Sequence, residues 1–208
     1  MGKKWLKYIV LIIVGGLLAY KSVYFKKLNT PRSEAGSNKT DPAAFAKLFW
    51  DRVFSKAIDS AIAMEVFEKE FFEKGAQNTI NKYSHSQGVS GTAYMLQKFN
   101  GKVKEVTDSK IVLLQTNSRS SQLTFNIGNY FGNGVRDVTG LIEMGDFENS
   151  MDYNMVSAEL NKIVKADVIL PVKNKIKIND DLTIVGCVEI VDGKLSDEIF
   201  PVRIIIHK

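Results

Sequence analysis

Residues 91–127 read GTAYMLQKFNGKVKEVTDSKIVLLQTNSRSSQLTFNI, and three β-strands are predicted in this stretch. The first covers residues 93–106, the second residues 110–116 and the third residues 122–127. Short clusters of Ser, Thr, Asn and Asp separate the strands, as is typical of turns. The third strand alternates strictly between apolar and polar side chains, which indicates that one of its faces is buried.

One helix and two further strands are predicted after these three strands, and together the six elements match the order of a known architecture. A helix is predicted over residues 152–168, and two further strands over residues 182–191 and 200–207, with a turn at residues 192–193 between them. Three strands, a helix and two strands is the element order of the five-stranded oligonucleotide/oligosaccharide-binding (OB) barrel. Other small barrels and α+β sheets share that order. We therefore predict an α+β protein in which residues 84–208 form an OB-like β-barrel with the order β-β-β-α-β-β.

A helical segment is predicted over residues 42–83, upstream of the barrel. Asp41 offers a side-chain acceptor to the start of the first helix, and Pro42 suits the first helical turn. Phe67 and Phe71 share one face of a later helix at the spacing i, i+4. The apolar faces of these helices require burial, so we predict that this segment is a helical cap on the barrel.

The first 27 residues predict a membrane anchor. The apolar run at residues 8–20 would span roughly 20 Å as a helix, whereas residues 5–25 would span about 31 Å, close to the hydrocarbon thickness of a bilayer. Tyr20 stands where a lipoprotein leader would carry a cysteine, and the residues before it fit a cleavage site poorly. An uncleaved signal anchor over residues 1–27 is therefore favoured over a removed signal peptide. A flexible tether follows over residues 28–41.

Composition sets two limits on the protein. The net charge of the 208 residues is +5, but six lysines and no acidic residue lie in the first 27, which leaves 22 basic and 23 acidic residues in the remainder. A nucleic-acid surface needs a basic excess, so no nucleic acid is predicted as a partner. Cys187 is the only cysteine, so it cannot form an internal disulfide, and we predict that it fills the core.

A long loop is predicted between the third strand and the helix, at residues 128–154, with the sequence GNYFGNGVRDVTGLIEMGDFENSMDYN. Loops of this length are usually functional or disordered, and the aromatic residues argue against disorder. Its candidate ligand-binding residues are Arg136, Asp137, Asp146, Asn149, Tyr130 and Phe147. They suggest a pocket that hydrogen-bonds a polar ligand such as a sugar and covers its apolar faces with rings. The alternative is that Arg136 pairs with Asp137 or Asp146 to hold the loop together.

Catalysis finds little support in the sequence. The two histidines, His85 and His207, are few for a histidine-based triad or a metal site. The glycine-rich residues 128–137 match neither a phosphate-binding loop nor a dinucleotide fingerprint. A hydrolase with Asp137 and Asp146 as an acid–base pair is the remaining enzymatic alternative, although paired acids are more often solvated or salt-bridged. We predict a protein that is not an enzyme, with no catalytic residue, no metal and no cofactor.

Short motifs spread over the chain resemble a known bacterial family. In chain order they are Asp41-Pro42-Ala43, Trp50-Asp51, Gly91-Thr92-Ala93, Gly134-Val135-Arg136-Asp137, Asp146-Phe147 and Ala158-Glu159-Leu160-Asn161. Together they resemble a domain-of-unknown-function family described as predicted periplasmic lipoproteins. The resemblance implies an exported protein that is tethered to the inner membrane, faces the periplasm and is often encoded beside sugar transporters of the ATP-binding cassette (ABC) type. Members typically carry a cysteine at the end of the leader, so Tyr20 implies a peptide anchor in place of a lipid.

These observations lead to one predicted function and one alternative. The predicted function is that of a periplasmic binding or accessory module, held to the inner membrane by a single-pass anchor. Its predicted partners are that membrane and either a small sugar or the subunits of a sugar ABC transporter. The alternative is a structural envelope interaction protein without a small-molecule site, whose long loop packs against the helical cap.

Overall fold

A computed structural model describes residues 41–86, 91–115, 122–128 and 132–207 of the chain. The predicted anchor over residues 1–27, and the predicted tether up to residue 40, lie outside the described residues. Residues Thr40–Lys208 form one compact unit. Since a compact unit with its own hydrophobic core folds independently in most proteins, we expect a fragment of residues 40–208 to fold alone. No helix within the described ranges is long and apolar enough to cross a bilayer.

Helices precede the barrel and also interrupt it. They are α1 (Pro42–Phe49), α2 (Ser55–Asp59), α3 (Met64–Lys74), α4 (Ala76–Tyr83), α5 (Gly134–Asp137), α6 (Ser150–Ile163) and α7 (Leu170–Lys173). π-Helical turns at Trp50–Phe54 and Val164–Ile169 join α1 to α2 and α6 to α7. The predicted helix start is confirmed, because Asp41 Oδ1 accepts a hydrogen bond of 3.1 Å from the Ala43 N–H.

The strands of the sheet close into a barrel. They are β1 (Ile62–Ala63), β2 (His85–Ser86), β3 (Thr92–Val106), β4 (Lys110–Leu114), β5 (Gln122–Asn126), β6 (Asp181–Val191) and β7 (Lys194–His207). The order is β3-β4-β5-β7-β6, and β6 returns to pair with β3 along its length, from Thr92 opposite Val191 to Lys102 opposite Asp181. This closure, with α6 between β5 and β6, confirms the predicted β-β-β-α-β-β barrel. The short strands β1 and β2 also pair with β3, β1 in parallel and β2 in antiparallel orientation.

Two predicted boundaries were wrong. The last strand begins at Lys194, not at residue 200, because Asp192 and Gly193 both adopt positive φ and form a two-residue turn that pairs Val191 with Lys194 at once. The long loop was predicted to end at residue 154, but α6 already begins at Ser150. The rest of that loop also contains α5 and a 3₁₀ turn at Met144–Asp146.

The core lies inside the barrel and between the barrel and the helices. Met95, Phe99 and Val103 are buried at every fourth position of β3 and therefore share one face of the strand, and Phe125 meets Phe99 edge to face at 5.2 Å. Residue 97 shares the same inward face of β3 but is a glutamine. Outside the barrel, α1 packs against α6.

Candidate functional site

Arg136 and Asp137 form a buried ion pair on α5. Their residues are only 3% and 4% exposed. Arg136 Nε donates to Asp137 Oδ1 at 2.6 Å and Nη2 donates to Asp137 Oδ2 at 3.0 Å, so the two planar groups meet through two parallel hydrogen bonds. Of the two carboxylates that the sequence offered, Asp137 is therefore the partner of Arg136.

Tyr153 of α6 completes the surroundings of this pair. Its ring centroid lies 3.6 Å from Arg136 Cζ, and its hydroxyl donates to Asp137 Oδ1 at 3.3 Å. Arg136 Nη1 donates to the carbonyl of Tyr153 at 3.3 Å and to Asn154 Oδ1 at 3.4 Å. Burial, followed by the nearby charge of Asp137, raises the pKa of Tyr153 and keeps its hydroxyl protonated as a donor. The guanidinium thus fastens α5 to α6.

Phe147 connects this cluster to the first helix. Its ring lies 5.7 Å from that of Tyr153 and meets Phe45 of α1 edge to face at 5.2 Å. Phe147 is partly buried and packs against the hydrophobic core. Its ring therefore helps to hold the loop against the helical cap.

Asp146 and Asn149 organise the backbone nearby. Asp146 Oδ2 accepts from the Glu143 N–H at 2.9 Å and closes the 3₁₀ turn, while Asn149 Oδ1 accepts from the Asp152 N–H at 2.9 Å and caps α6. Both residues are exposed. Tyr130 lies outside the described residues. Of the six candidate residues, the structure thus brings Arg136 and Asp137 together, places Phe147 against their neighbour Tyr153, and leaves Asp146 and Asn149 on the surface.

A cavity that was not predicted from the sequence lies between α3 and the barrel. Its volume is about 490 Å³, within the range of small-molecule pockets. Aromatic and aliphatic side chains supply most of its wall, and they are Met64, Phe67, Phe71, Phe72, Phe99, Leu123, Val188, Leu195 and Ile199. Its polar lining residues are Glu68, Gln97, Gln122, Thr124, Ser196 and Asp197. We call this space the α3 cavity.

Gln97 is the unusual member of the α3 cavity. It is 2% exposed, and its Nε2 has no hydrogen-bond partner among the described residues. A polar residue at an inward position of β3, between Met95 and Phe99, was the one sequence signal that pointed to this place. The other lining residues come from segments far apart in the sequence, so their meeting was not apparent before the barrel closed.

A smaller polar cleft of about 220 Å³ lies at one end of the barrel and contains His207. The Thr183 hydroxyl donates to Asn100 Oδ1 at 2.7 Å and lies 2.8 Å from His207 Nε2. His85 lies elsewhere, against Gly140. Among the described residues, no group of three His, Cys, Asp or Glu side chains is placed to hold a metal ion.

Cys187 of β6 is 1% exposed, as its predicted place in the core requires. Burial is the main cause that raises the pKa of its thiol above the ordinary value of 9.0. We expect a disulfide reagent to label native protein at pH 8 more slowly than urea-unfolded protein, by a factor on the order of 10³. Equal labelling rates in the two states would contradict this placement.

The raised pKa of Cys187 also predicts a dependence of stability on pH. Stability should fall as the pH rises above 9.0, because the unfolded chain then loses a proton that the folded chain keeps.

Comparisons with known proteins agree with the architecture. The model of a family described as predicted periplasmic lipoprotein (DUF2291) matches residues 13–205. The crystal structure of an OB-fold protein from Thermotoga maritima superposes with a TM-score of 0.69 at 22% identity, covering 80% of this chain and 98% of that one. At this identity the likeness shows the fold alone. No curated protein matches the chain.

Proposed function

This chain belongs to the family of predicted periplasmic lipoproteins, and we propose that it is a membrane-associated periplasmic module that binds a small molecule in the α3 cavity. The family description indicates the location. We propose further that residues 1–27 remain as a single-pass anchor in the inner membrane and replace the lipid, since Tyr20 stands where the lipidated cysteine would be.

The α3 cavity is the observation that carries the binding proposal. It is large enough for a small ligand, and its wall combines aromatic faces with a few polar groups, which is the usual composition of such a site. The Arg136 cluster is a poorer candidate because its guanidinium already bonds to Asp137, Tyr153 and Asn154. The place proposed for the ligand is therefore the α3 cavity rather than the long loop.

A small sugar is the ligand that we propose for this module, with transfer to an ABC transporter as its role. Phe67 and Phe71 present rings to the cavity that suit the apolar faces of a sugar ring, while Thr124, Ser196 and Asp197 offer partners for hydroxyl groups.

Thermal unfolding of residues 40–208 in the presence of pentoses and hexoses tests the proposal. A bound sugar at 100 times its Kd is expected to add about 2.7 kcal/mol of stability, a rise in Tm of several degrees for a unit of this size. Phe71→Ala should reduce the shift because it removes a ring from the cavity wall. Phe45→Ala is the matched control, because Phe45 is also a partly buried phenylalanine but does not line the cavity. If no sugar shifts the transition, the sugar assignment is wrong.

The contact between the long loop and the helical cap favours the second candidate function, a structural envelope interaction protein. Phe147 of the loop packs on Phe45 of α1, and Met151 and Met155 lie exposed one turn apart on α6 nearby. Recovery of transporter subunits with the anchored full-length chain, lost in Met151→Asp but retained in Phe71→Ala, would support docking without a ligand.

A further inference from the structure

The buried side-chain amide of Gln97 lowers the stability of the fold unless its Nε2 donates a hydrogen bond to an acceptor. The residue is almost fully buried on the inner face of β3, and Nε2 donates to no described group. A buried donor without an acceptor destabilises a fold, whereas an apolar side chain of the same shape would not. Because Gln97 also lines the α3 cavity, an acceptor atom of a molecule inside the cavity can satisfy it.

The charges around the α3 cavity restrict what that molecule can be. Its described lining residues include two carboxylates, Glu68 and Asp197, and no Lys or Arg. An anion entering it would meet repulsion at Asp197, and none of the described lining residues is a cation that could pair with it. Deeper in, the surroundings are Phe67, Phe99 and the neutral amide of Gln97, which cannot compensate for the loss of hydration of a charge.

We propose that the α3 cavity selects an uncharged molecule that has an apolar ring face and an oxygen acceptor, and that Gln97 Nε2 donates a hydrogen bond to this oxygen. The proposal rests on the binding function above and adds to it the chemical class of the ligand and the residue that recognises it. Anions, including phosphorylated sugars and fatty acids, are rejected.

Two related fluorescent probes test the charge selection with residues 40–208 in the absence of lipid and detergent. N-Phenyl-1-naphthylamine is uncharged, and 8-anilino-1-naphthalenesulfonate has the same rings with one added negative charge. We expect the uncharged probe to bind at least about tenfold more tightly, and we expect Asp197→Asn to reduce this preference. Equal or tighter binding of the sulfonate by wild-type protein would overturn the selection against anions.

Nile red tests the role of Gln97, because its carbonyl oxygen accepts hydrogen bonds and its emission moves to shorter wavelength when it loses them. Gln97→Met is expected to shift bound emission to the blue and to weaken binding about tenfold, while raising the Tm of the free protein by a few degrees. Gln122→Met is the matched control, because Gln122 also lines the cavity but is exposed. It should leave the emission of bound Nile red, its affinity and the Tm unchanged. Unchanged emission in Gln97→Met, or a lowered Tm, would overturn the role of Gln97.

The outcomes separate this inference from the function on which it rests. Tighter binding of the uncharged naphthyl probe together with the expected response of Nile red to Gln97→Met, but with no response to sugars, would support the ligand class and overturn the sugar assignment. If both naphthyl probes bind equally well and Gln97→Met does not change Nile red binding or emission, the inference is wrong, but the proposal of a small-molecule binding module stands. If neither the naphthyl probes nor Nile red binds, the inference is wrong; if in addition no sugar shifts the thermal transition, the binding function is wrong as well.

Discussion

Arg136→Met is expected to lower the free energy of unfolding by about 3–5 kcal/mol, the usual cost of removing one partner of a buried ion pair. The substitution preserves much of the side-chain volume but leaves the Asp137 carboxylate buried without its guanidinium. It also removes the two hydrogen bonds to Tyr153 and Asn154 that join α5 to α6. Urea unfolding of residues 40–208, followed by circular dichroism, measures the loss.

Two further variants show whether the loss comes from the uncompensated charge. Lys47→Met breaks the exposed pair between Lys47 and Asp51 and should change stability by less than about 1 kcal/mol. The double variant Arg136→Met/Asp137→Leu removes both charges and should recover much of the lost stability. A single Arg136→Met variant that stays as stable as Lys47→Met but no longer binds a sugar would instead support the prediction that Arg136 contacts a ligand.

The barrel was predictable because local patterns of apolar and polar residues indicate most of its strands. The strict alternation of β5 and the apolar run of β6 fix strand type, and the order of the elements limits the topologies available. The start of β7 was missed because Ser196, Asp197 and Glu198 resemble a turn. In the structure they belong to β7 and lie where its register with β6 shifts, between the pairs Ile190–Leu195 and Val188–Ile199.

The candidate site was harder to predict because it depends on which distant side chains meet. Arg136 and Asp137 are adjacent in sequence, and the sequence predicted pairing of Arg136 with Asp137 or Asp146 as the alternative to a pocket. Neither Tyr153 beneath the guanidinium nor the choice of Asp137 over Asp146 follows from spacing alone. The α3 cavity was missed for a related reason. Gln97 and Leu195 come close only when β3 pairs with β6 and β6 with β7.

Gly186→Ala is expected to cost about 3 kcal/mol, the upper part of the usual range for overpacking a core. Gly186 lies on β6, opposite Gln97 of β3 and Pro201 of β7, where the register shifts after Val185. An added Cβ would overlap Ile199 Cγ2 and lie 3.5 Å from the ring of Phe99. Both neighbours are buried, so neither moves freely. Gly145→Ala is the control, because nothing lies within 4 Å of the position of its added Cβ.

A double-mutant cycle identifies the source of that cost and ties it to the α3 cavity. In an Ile199→Ala background the overlap disappears, so Gly186→Ala should then cost less than about 1 kcal/mol. If the single variant folds, the least crowded direction for Ile199 is into the α3 cavity, which it lines. The loss of stability should then be accompanied by weaker binding of the uncharged naphthyl probe. A stable Gly186→Ala variant with unchanged probe binding would mean that β6 and β7 are not packed as closely as the structure shows.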